Sequence, residues 1–419
     1  MVLLSQRCCQ SASTGENERV NRTYGGMRGG TGATGTAGGT GVTGVSGGVN
    51  LLALRSHNTA LVLDLLRAAG AEGISRLELA ERTGLTPQAV SKITARLRAE
   101  GLAADAGRRA STGGKPRTVL RLVPEAGHAV GAHLDRDELR AVLVDLDGTV
   151  VGERSAPLDL GAGAEAVLAG VAGVVEGLWP AGTAEEGAAG DGTDVRVPPR
   201  PALLGVGVAL PGPLDHARGV LHRVTGFPEW DGYPLRDALS ERLGVPVVVD
   251  KDTNAAALGL AVDGEGGCFA YLHLGTGLGA GLVIGGSVHR GPRTGAGEFG
   301  HQVVQLDGPR CGCGDRGCVE ALCLAAVARG DTDEAARVLG VGAANLVGLL
   351  DIDRVLLGGR TIEAAPEAFA RGVRAVLDTR ARRTGDTAVP VRVASGGGGG
   401  VAEGAAQSVL APLFGRGDG

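Results

Sequence analysis

The sequence predicts an α/β protein that begins with a winged helix-turn-helix. Three observations carry this prediction: short helical patterns with a hairpin over residues 51–121, repeated apolar strand-like runs from about residue 123 onward, and a division of charge between these two parts. The chain has 419 residues, enough for about two or three domains. We expect a disordered Gly/Thr-rich tail over residues 1–50, the winged helix over 51–121 and the α/β body over 122–419.

Composition favours a soluble globular protein. Apolar residues make up 43% of the sequence, charged residues 21% and aromatic residues only 2%. No apolar run approaches the roughly 18 residues that a membrane span needs. The N-terminal MVLLSQRCCQ holds too short an apolar stretch for a signal peptide. We therefore expect a cytoplasmic protein.

The net charge of −5 is unevenly distributed along the chain. Residues 51–121 carry 12 Lys and Arg against 6 Asp and Glu, whereas residues 122–419 have a net charge of −13. A basic module on an acidic body indicates that only the first part meets an anionic partner such as DNA. Ordinary scatter of charge would give the same numbers.

Two segments are predicted to lie outside the packed structure. Residues 1–50 are rich in Gly and Thr and offer too little apolar surface to offset the entropy lost on ordering. Residues 181–200, AGTAEEGAAGDGTDVRVPPR, have the composition of a flexible surface insertion.

Three helices are predicted in the basic module. The first covers about Leu51–Ala69 and the second Arg76–Thr83. The third begins at Pro87, because Thr86 is a good N-cap and proline is tolerated in the first turn. The turn at Gly84 would hold the second and third helices at a steep angle, which lets the third enter a major groove.

The DNA-facing residues are predicted on the third helix and on a β-wing that follows it. The helix places Gln88, Ser91 and Lys92 within reach of base edges or phosphates. The wing is a hairpin with a basic tip, suited to phosphates or a minor groove. Its predicted contact residues are Arg108, Arg109, Lys115 and Arg117. The alternative is a generic three-helix unit with a solvated charged face.

Three Cys and one His indicate a metal site. His301, Cys311, Cys313 and Cys318 lie within GEFGHQVVQLDGPRCGCGDRGCVEAL. In a reducing cytoplasm such a cluster favours a metal over disulfides. Three thiolates and one imidazole form the closed tetrahedral shell of a structural zinc site. The alternative is a set of unrelated buried thiols.

Two further stretches carry weaker signals. GTGLGAG at Gly275–Gly281 follows a strand, and such turns bind phosphate through exposed amides but also occur in ordinary Gly-rich hairpins. In VVVDKDTNAAALG, Asp252 lies at a strand end, where it can act as a general base toward a hydroxyl. Alternatively, Asp252 and Asn254 cap the following helix, and the residues taken alone slightly favour this second interpretation.

Together these stretches resemble the ROK family of repressors, open reading frames and kinases, and within it the DNA-binding repressors. The most specific match is the CxCGxxGCxE signature at Cys311–Glu320, and GEFGH, the PGP turn at Pro211–Pro213 and LLGG at Leu356–Gly359 follow the family order. The resemblance covers about residues 55–415. It implies a two-lobed actin/hexokinase-like fold, a sugar cleft between the lobes, a structural zinc, and a homodimer or homotetramer. The family's sugar contacts would fall on Asp252, Glu298, His301 and Glu320.

The sequence departs from the family pattern at three places. The glycine-rich phosphate loop of the kinases corresponds to Asp135–Leu139, whose acidic residues would repel phosphate. The Asn that normally precedes the catalytic Asp is Lys251, and the Asn expected ahead of the cleft residue Trp230 is Gly226. The first departure argues against ATP use, and the other two indicate a sugar other than the usual hexose or a sugar derivative.

The resemblance and its departures favour a sugar-responsive transcriptional regulator without enzyme activity, a repressor of carbohydrate-metabolism genes. It would bind double-stranded operator DNA through the winged helix and a sugar or sugar derivative in the cleft. The alternative is an ATP-dependent sugar kinase with Asp252 as base, which an ATP-consumption assay over a sugar panel would reveal. A third possibility, a constitutive DNA-binding protein with an inactive cleft, would show no sugar-induced thermal shift.

Overall fold

The computed structural model describes residues 57–109, 117–179, 202–224, 227–394 and 400–416. The predicted tail over residues 1–50 and the predicted insertion over 181–200 lie outside the described residues, and so do Lys115 and Gly226. Within the described part, no helix is both long enough and apolar enough to cross a membrane.

The described helices are α1 (His57–Ala69), α2 (Arg76–Thr83), α3 (Pro87–Ala99), α4 (Ala164–Leu178), α5 (Leu235–Leu243), α6 (Asp252–Val262), α7 (Val319–Ala328), α8 (Thr332–Leu350), α9 (Arg360–Glu363), α10 (Pro366–Thr384) and α11 (Gly400–Leu410). The described strands are β1 (Ile74–Ser75), β2 (Ala103–Arg109), β3 (Arg117–Leu122), β4 (Gly127–Leu134), β5 (Glu138–Asp145), β6 (Val150–Pro157), β7 (Ala202–Leu210), β8 (Leu214–Asp215), β9 (Val220–Leu221), β10 (Val247–Lys251), β11 (Phe269–Leu274), β12 (Leu278–Ile284), β13 (Ser287–Val288), β14 (Arg354–Gly358) and β15 (Val391–Val393).

The first three helices and three strands form a winged helix-turn-helix. Helix α2 begins with a capping box, in which the Ser75 side chain accepts from the Glu78 amide and the Glu78 carboxylate accepts from the Ser75 amide. It ends at Gly84, whose φ of 68° is left-handed. Helix α3 then begins after the N-cap Thr86, as predicted. Strands β2 and β3 pair antiparallel to form the wing, and β1 extends the sheet beside β3.

The body begins with a small lobe built on a five-stranded sheet. Its strand order is β10-β7-β4-β5-β6, with β4, β7 and β10 parallel and the β4–β5–β6 meander antiparallel. The turn between β5 and β6 contains Gly148 at a left-handed φ of 87°. Helices α4 and α5 cover one face of the sheet and bury its alternate apolar side chains.

The large lobe is a second five-stranded sheet with its own helices. Its order is β13-β12-β11-β14-β15, in which β11, β14 and β15 are parallel. Helices α7, α8 and α10 pack on one face and bury an apolar core that includes Leu272, Phe299 and Phe369.

Two helices, α6 and α11, pack between the sheets and join the lobes. Their crossing is close, since a Cβ on Gly404 would lie 1.8 Å from the Ala255 carbonyl oxygen. Helix α11 also lies directly on strand β7, because a Cβ on Gly207 would lie 1.8 Å from the Ala405 carbonyl oxygen. Only glycine permits such backbone approach. The two-lobed architecture is therefore present as predicted.

The winged helix shares one hydrophobic core with the small lobe. Leu63 and Leu66 of α1 belong to the same buried cluster as Val144 of β5, Leu410 of α11 and Phe414 just beyond it. The predicted division near residue 121 is thus a change of secondary structure along the chain but not a break in packing.

Candidate functional site

A cavity of about 140 Å³ lies between the two lobes. It forms beyond the carboxyl ends of the parallel strands β4, β7 and β10 and of β11 in the other lobe. This is the usual position of ligand sites in open α/β sheets. All four predicted sugar contacts line it: Asp252, Glu298, His301 and Glu320.

Asp252 lies at the first position of α6, directly after β10 ends at Lys251. Its Oδ1 accepts from the Thr253 amide at 2.6 Å, and the residue lines the cavity. Asn254 does not cap the helix. It is fully buried, and its Nδ2 donates to Asp250 Oδ1 at 2.9 Å.

Behind Asp252, a buried ion pair joins the lobes. Asp250 on β10 accepts from the Arg290 guanidinium at 2.7 Å, and the two side chains are only 3% and 10% exposed. The second carboxylate oxygen of Asp250 accepts from the Lys251 amide and from Asn254. Ion pairing and hydrogen bonds to Asp250 therefore hold the base of the cavity, as a buried charge requires.

Lys251 forms a second bridge between the lobes within the cavity wall. Its Nζ donates to Glu298 Oε1 at 3.1 Å and to the Ala296 carbonyl oxygen. The family-pattern departure at this position thus places a buried ammonium beside a predicted sugar contact.

The β4–β5 turn, which the resemblance aligns with the phosphate loop of the kinases, presents one carboxylate and one guanidinium to the cleft. Asp135 and Arg136 line the cavity. Arg360 of the large lobe reaches over to this turn, with its Nη atoms 3.8 Å from Asp135 Oδ2 and 3.5 Å from Asp137 Oδ1. These carboxylates, and the ion pair they make, fit poorly with the phosphates of a nucleotide.

Sequence reasoning missed several residues that line the cavity. His133 and His273 lie near the carboxyl ends of β4 and β11, and Arg136 follows β4. Burial lowers the pKa of His133, so its imidazole is neutral at neutral pH. The position of each residue at the end of a predicted strand was the signal that could have found them.

Trp230 does not belong to the cavity lining, contrary to our expectation of a cleft residue. Its indole is 2% exposed and donates to the Leu160 carbonyl oxygen at 3.0 Å. The ring is apolar and large, and it completes the small-lobe core beside Leu235.

The predicted metal ligands converge beside the cavity. One ligand atom from each of His301, Cys311, Cys313 and Cys318 lies within 4.8 Å of all the others. His301 Nδ1 is 3.6 Å from Cys311 Sγ, and the sulfurs of Cys313 and Cys318 are 3.7 Å apart. Metal bonds of about 2.0–2.3 Å in a tetrahedron give ligand–ligand edges of about 3.6–3.8 Å. The cluster therefore fits a metal ion.

The chemistry of this cluster is also compatible with a bound cation. Burial and the neighbouring thiols raise the pKa of Cys318 to about 12, so adjacent thiolates form only when a positive ion neutralises them. Glu320 connects the cluster to the cavity. Its Oε1 lies 3.9 Å from Cys311 Sγ, and its Oε2 accepts from the Leu278 amide at 2.9 Å.

The winged helix presents the predicted helix contacts to solvent. Gln88, Ser91 and Lys92 are exposed on α3, whereas Val90 and Leu97 of the same helix are buried. The predicted wing contacts are placed as follows: Arg108 and Arg109 end β2, Arg117 is exposed at the start of β3, and Lys115 lies outside the described residues.

Comparison with known proteins agrees with this architecture. Residues 198–329 match the ROK family, and residues 59–103 match the winged helix-turn-helix DNA-binding family. The crystal structure of a ROK hexokinase from Thermus thermophilus is 31% identical, covers 67% of this chain and 96% of its own, and superposes with a TM-score of 0.51. The chain belongs to the ROK family.

Within this family, the chain is similar to proteins that are named as repressors or transcriptional regulators. The xylose repressor of Caldicellulosiruptor bescii is 26% identical over 352 residues, which cover 73% of this chain and 84% of the relative. The crystal structure of a ROK family transcriptional regulator, a homolog of the E. coli MLC protein, covers 86% of this chain and 98% of its own with a TM-score of 0.66. At 20% identity, that structure shows the shared fold.

Proposed function

We propose that this ROK chain is a sugar-responsive transcriptional regulator that represses carbohydrate-metabolism genes. The observation that carries the proposal is the hydrophobic core that the winged helix shares with the small lobe. The winged helix exposes a polar recognition face, and the small lobe forms one wall of the interlobe cavity. A DNA-binding surface and a ligand cavity in one packed body are what a ligand-responsive regulator needs. The similarity to a xylose repressor supports the same class.

In this proposal the DNA surface is the α3 face together with the wing. Gln88, Ser91 and Lys92 would enter a major groove, and the wing arginines with Lys115 would contact the backbone or a minor groove. A homodimer or homotetramer would present two such surfaces to a palindromic operator, since dimer symmetry matches operator symmetry.

The effector in this proposal is a sugar or sugar derivative in the interlobe cavity. Asp252, Glu298 and Glu320 would accept hydrogen bonds from its hydroxyl groups, because a carboxylate offers several acceptor sites. His301 would use Nδ1 for a zinc ion, with the three thiolates, and Nε2 for the sugar. The zinc would be structural and would fix the cavity wall.

We further propose that the chain has no sugar kinase activity. Asp135 and Asp137 occupy the turn where a kinase needs phosphate-binding glycines, and they pair with Arg360. Carboxylates at this position repel nucleotide phosphates. A coupled ATP-consumption assay over neutral sugars should give no turnover, and a rate of about 1 per second or more with any sugar would overturn this part.

The test of the DNA surface compares two variants in gel-shift titrations at several salt concentrations. Replacing both Lys115 and Arg117 with Ala should weaken binding to every sequence and lower the salt slope by about 1.8, because two phosphate contacts are lost. Gln88→Ala should instead relax sequence preference by about 1–3 kcal/mol while keeping non-specific affinity. Arg337→Ala, in an exposed large-lobe ion pair, is the control. Unchanged binding in both test variants would mean that another surface meets DNA.

The test of the effector role is a thermal-shift screen over neutral aldoses, with D-xylose first, followed by operator titrations with each sugar that binds. We expect a sugar that raises the melting temperature and lowers operator affinity. A protein that binds operator but responds to no sugar would instead be a constitutive DNA-binding protein.

A further inference from the structure

The contact between Lys251 and Glu298 joins a buried side chain to an accessible one. Lys251 ends β10 in the small lobe, and Glu298 lies in the loop of the large lobe that leads to the metal cluster. The lysine side chain is 4% exposed and the glutamate side chain is 47% exposed. The ammonium is thus fixed in the wall, while its partner carboxylate remains accessible from the cavity.

Hydrogen-bonding capacity defines what this pair can bind. An ammonium has three donors and no acceptor, and a carboxylate has acceptors only. In the described part of the chain, the Lys251 ammonium uses two donors, on Glu298 and on the Ala296 carbonyl oxygen. A hydroxyl is the small group that satisfies both sides at once, since it accepts from Lys251 and donates to Glu298.

The charge of the cavity favours a neutral ligand. Among the described residues that line it, four carboxylates stand against two cations: Asp135, Asp252, Glu298 and Glu320 against Arg136 and Lys251. Arg360, outside the lining, pairs with Asp135, and the remaining carboxylates still outnumber the cations. Burial lowers the pKa of His133, so this ring adds no compensating charge at neutral pH. An additional carboxylate or phosphate on the ligand would therefore meet net repulsion.

We infer that the Lys251–Glu298 pair is the specificity-determining element of the cavity, and that it selects a neutral sugar by binding one hydroxyl between the lobes. A sugar that lacks this hydroxyl, or carries a carboxylate in its place, is rejected. The inference rests on the proposed function, because it names the ligand class of the same cavity. Lys251 contributes a positive donor where the resemblance leads one to expect an uncharged amide.

The first experiment measures ligand class with the full-length wild-type protein. Calorimetric titrations compare D-xylose, D-glucose and D-galactose with their uronic or aldonic acids and with their single-position deoxy derivatives. We expect a neutral sugar to bind, its acid to bind at least about 100-fold more weakly, and one deoxy position to cost about 100-fold. Sites built around a hydroxyl reject analogues that lack it by larger factors when fully buried. An acid that binds as tightly as its neutral parent would overturn the inference.

The second experiment separates recognition from a structural role. Lys251→Met removes the ammonium and keeps the length of the side chain, and Lys251→Arg keeps the charge. For Lys251→Met, the ratio of affinities between the parent sugar and the critical deoxy sugar should fall from about 100 to near 1, with affinity for the deoxy sugar unchanged. Lys251→Arg should retain at least part of the ratio. A purely structural lysine would weaken both sugars equally and leave the ratio intact, which contradicts the inference.

Two controls keep the outcomes distinct. Arg242→Met removes a cation from an exposed small-lobe ion pair and should change neither affinity. Operator binding without sugar, measured for each variant, verifies the fold, and Glu298→Ala serves if Lys251→Met does not fold, with the same expected collapse of the ratio. If no neutral sugar binds while operator still does, the sugar part of the proposed function fails together with the inference. If sugars bind without this discrimination, the inference alone fails.

Discussion

The small lobe makes two interfaces of opposite character. Toward the winged helix it is mainly apolar: Leu66 is fully buried beside Leu410 and Phe414. A few polar contacts flank this core, since Arg67 stacks on the Phe414 ring and donates to the Asp147 carbonyl oxygen, and Arg416 pairs with Asp64. Toward the large lobe, above the α6–α11 crossing, it is polar and bridged by ion pairs around a cavity.

This difference indicates which parts move together. Burying apolar surface stabilises an interface regardless of ligand, at about 25 cal/mol per Å², whereas polar contacts exchange with water and with ligand hydroxyls at small net cost. We therefore expect the winged helix and small lobe to move as one body, and a ligand to change the position of the large lobe relative to them. A ligand shifts such an equilibrium only by its differential affinity for the two arrangements.

The largest expected effect comes from the metal cluster in the large-lobe wall. Cys313→Ser should reduce zinc from about one per chain to near zero, and it should lower the melting temperature, because metal binding energy contributes to folding. In calorimetry of this variant, the large lobe should melt separately from the winged helix and the small lobe. Zinc content is measured by mass spectrometry. If the variant has lost its metal and its melting curve is unchanged, the cluster does not have this role.

The apolar junction should be the next most sensitive. Leu66→Ala leaves a cavity in the shared core and should cost about 2–5 kcal/mol of unfolding free energy, measured by urea denaturation. Leu349→Ala, whose side chain is 82% exposed, should change stability by less than about 0.5 kcal/mol. If Leu66→Ala lets the winged helix melt alone while the small lobe is unaffected, the two do not form one unit.

The polar cleft should determine the response rather than the stability. Glu298→Ala should leave sugar-free operator binding nearly intact and abolish the sugar response, which we expect to be about 5- to 150-fold, or about 1–3 kcal/mol. Because coupling is reciprocal, operator DNA should change sugar affinity by the same factor in the wild type. Calorimetric sugar titrations with and without operator measure this factor, and equal affinities would show that cleft and winged helix are uncoupled.

The smallest effect on stability is expected at the cleft mouth, where we compare Arg360 with Arg67 at the apolar junction. Arg360 is 46% exposed and lies 3.5–3.8 Å from its carboxylate partners, so Arg360→Gln should cost no more than about 1 kcal/mol. Arg67→Met at the junction loses hydrogen bonds to Asp147 in a partly buried setting and should cost about 1–3 kcal/mol. Urea denaturation of both variants tests the order, and a larger cost for Arg360 would reverse the comparison.

Local features of the sequence were sufficient for the elements and for the metal cluster. The end of α2 and the start of α3 followed from Gly84, Thr86 and Pro87, because caps and left-handed turns depend on a few neighbouring residues. The convergence of Cys311, Cys313 and Cys318 was predictable for the same reason, since only six residues lie between the outer two. The four predicted sugar contacts required the family resemblance, and the structure brings these residues to one cavity.

Only the tertiary structure decided how the parts are joined. The Lys251–Glu298 pair spans 47 residues and the Arg67–Asp147 contact spans 80, and no local pattern links positions so far apart. The shared core of α1, α11 and β5 likewise depends on packing of distant segments. Side-chain periodicity shows which face of an element is buried, but the partner of that face is chosen by the packing of the whole chain. The sequence by itself therefore determined the local elements and the chemistry of the site, and the tertiary structure alone decided which lobe the winged helix joins and which charges meet across the cleft.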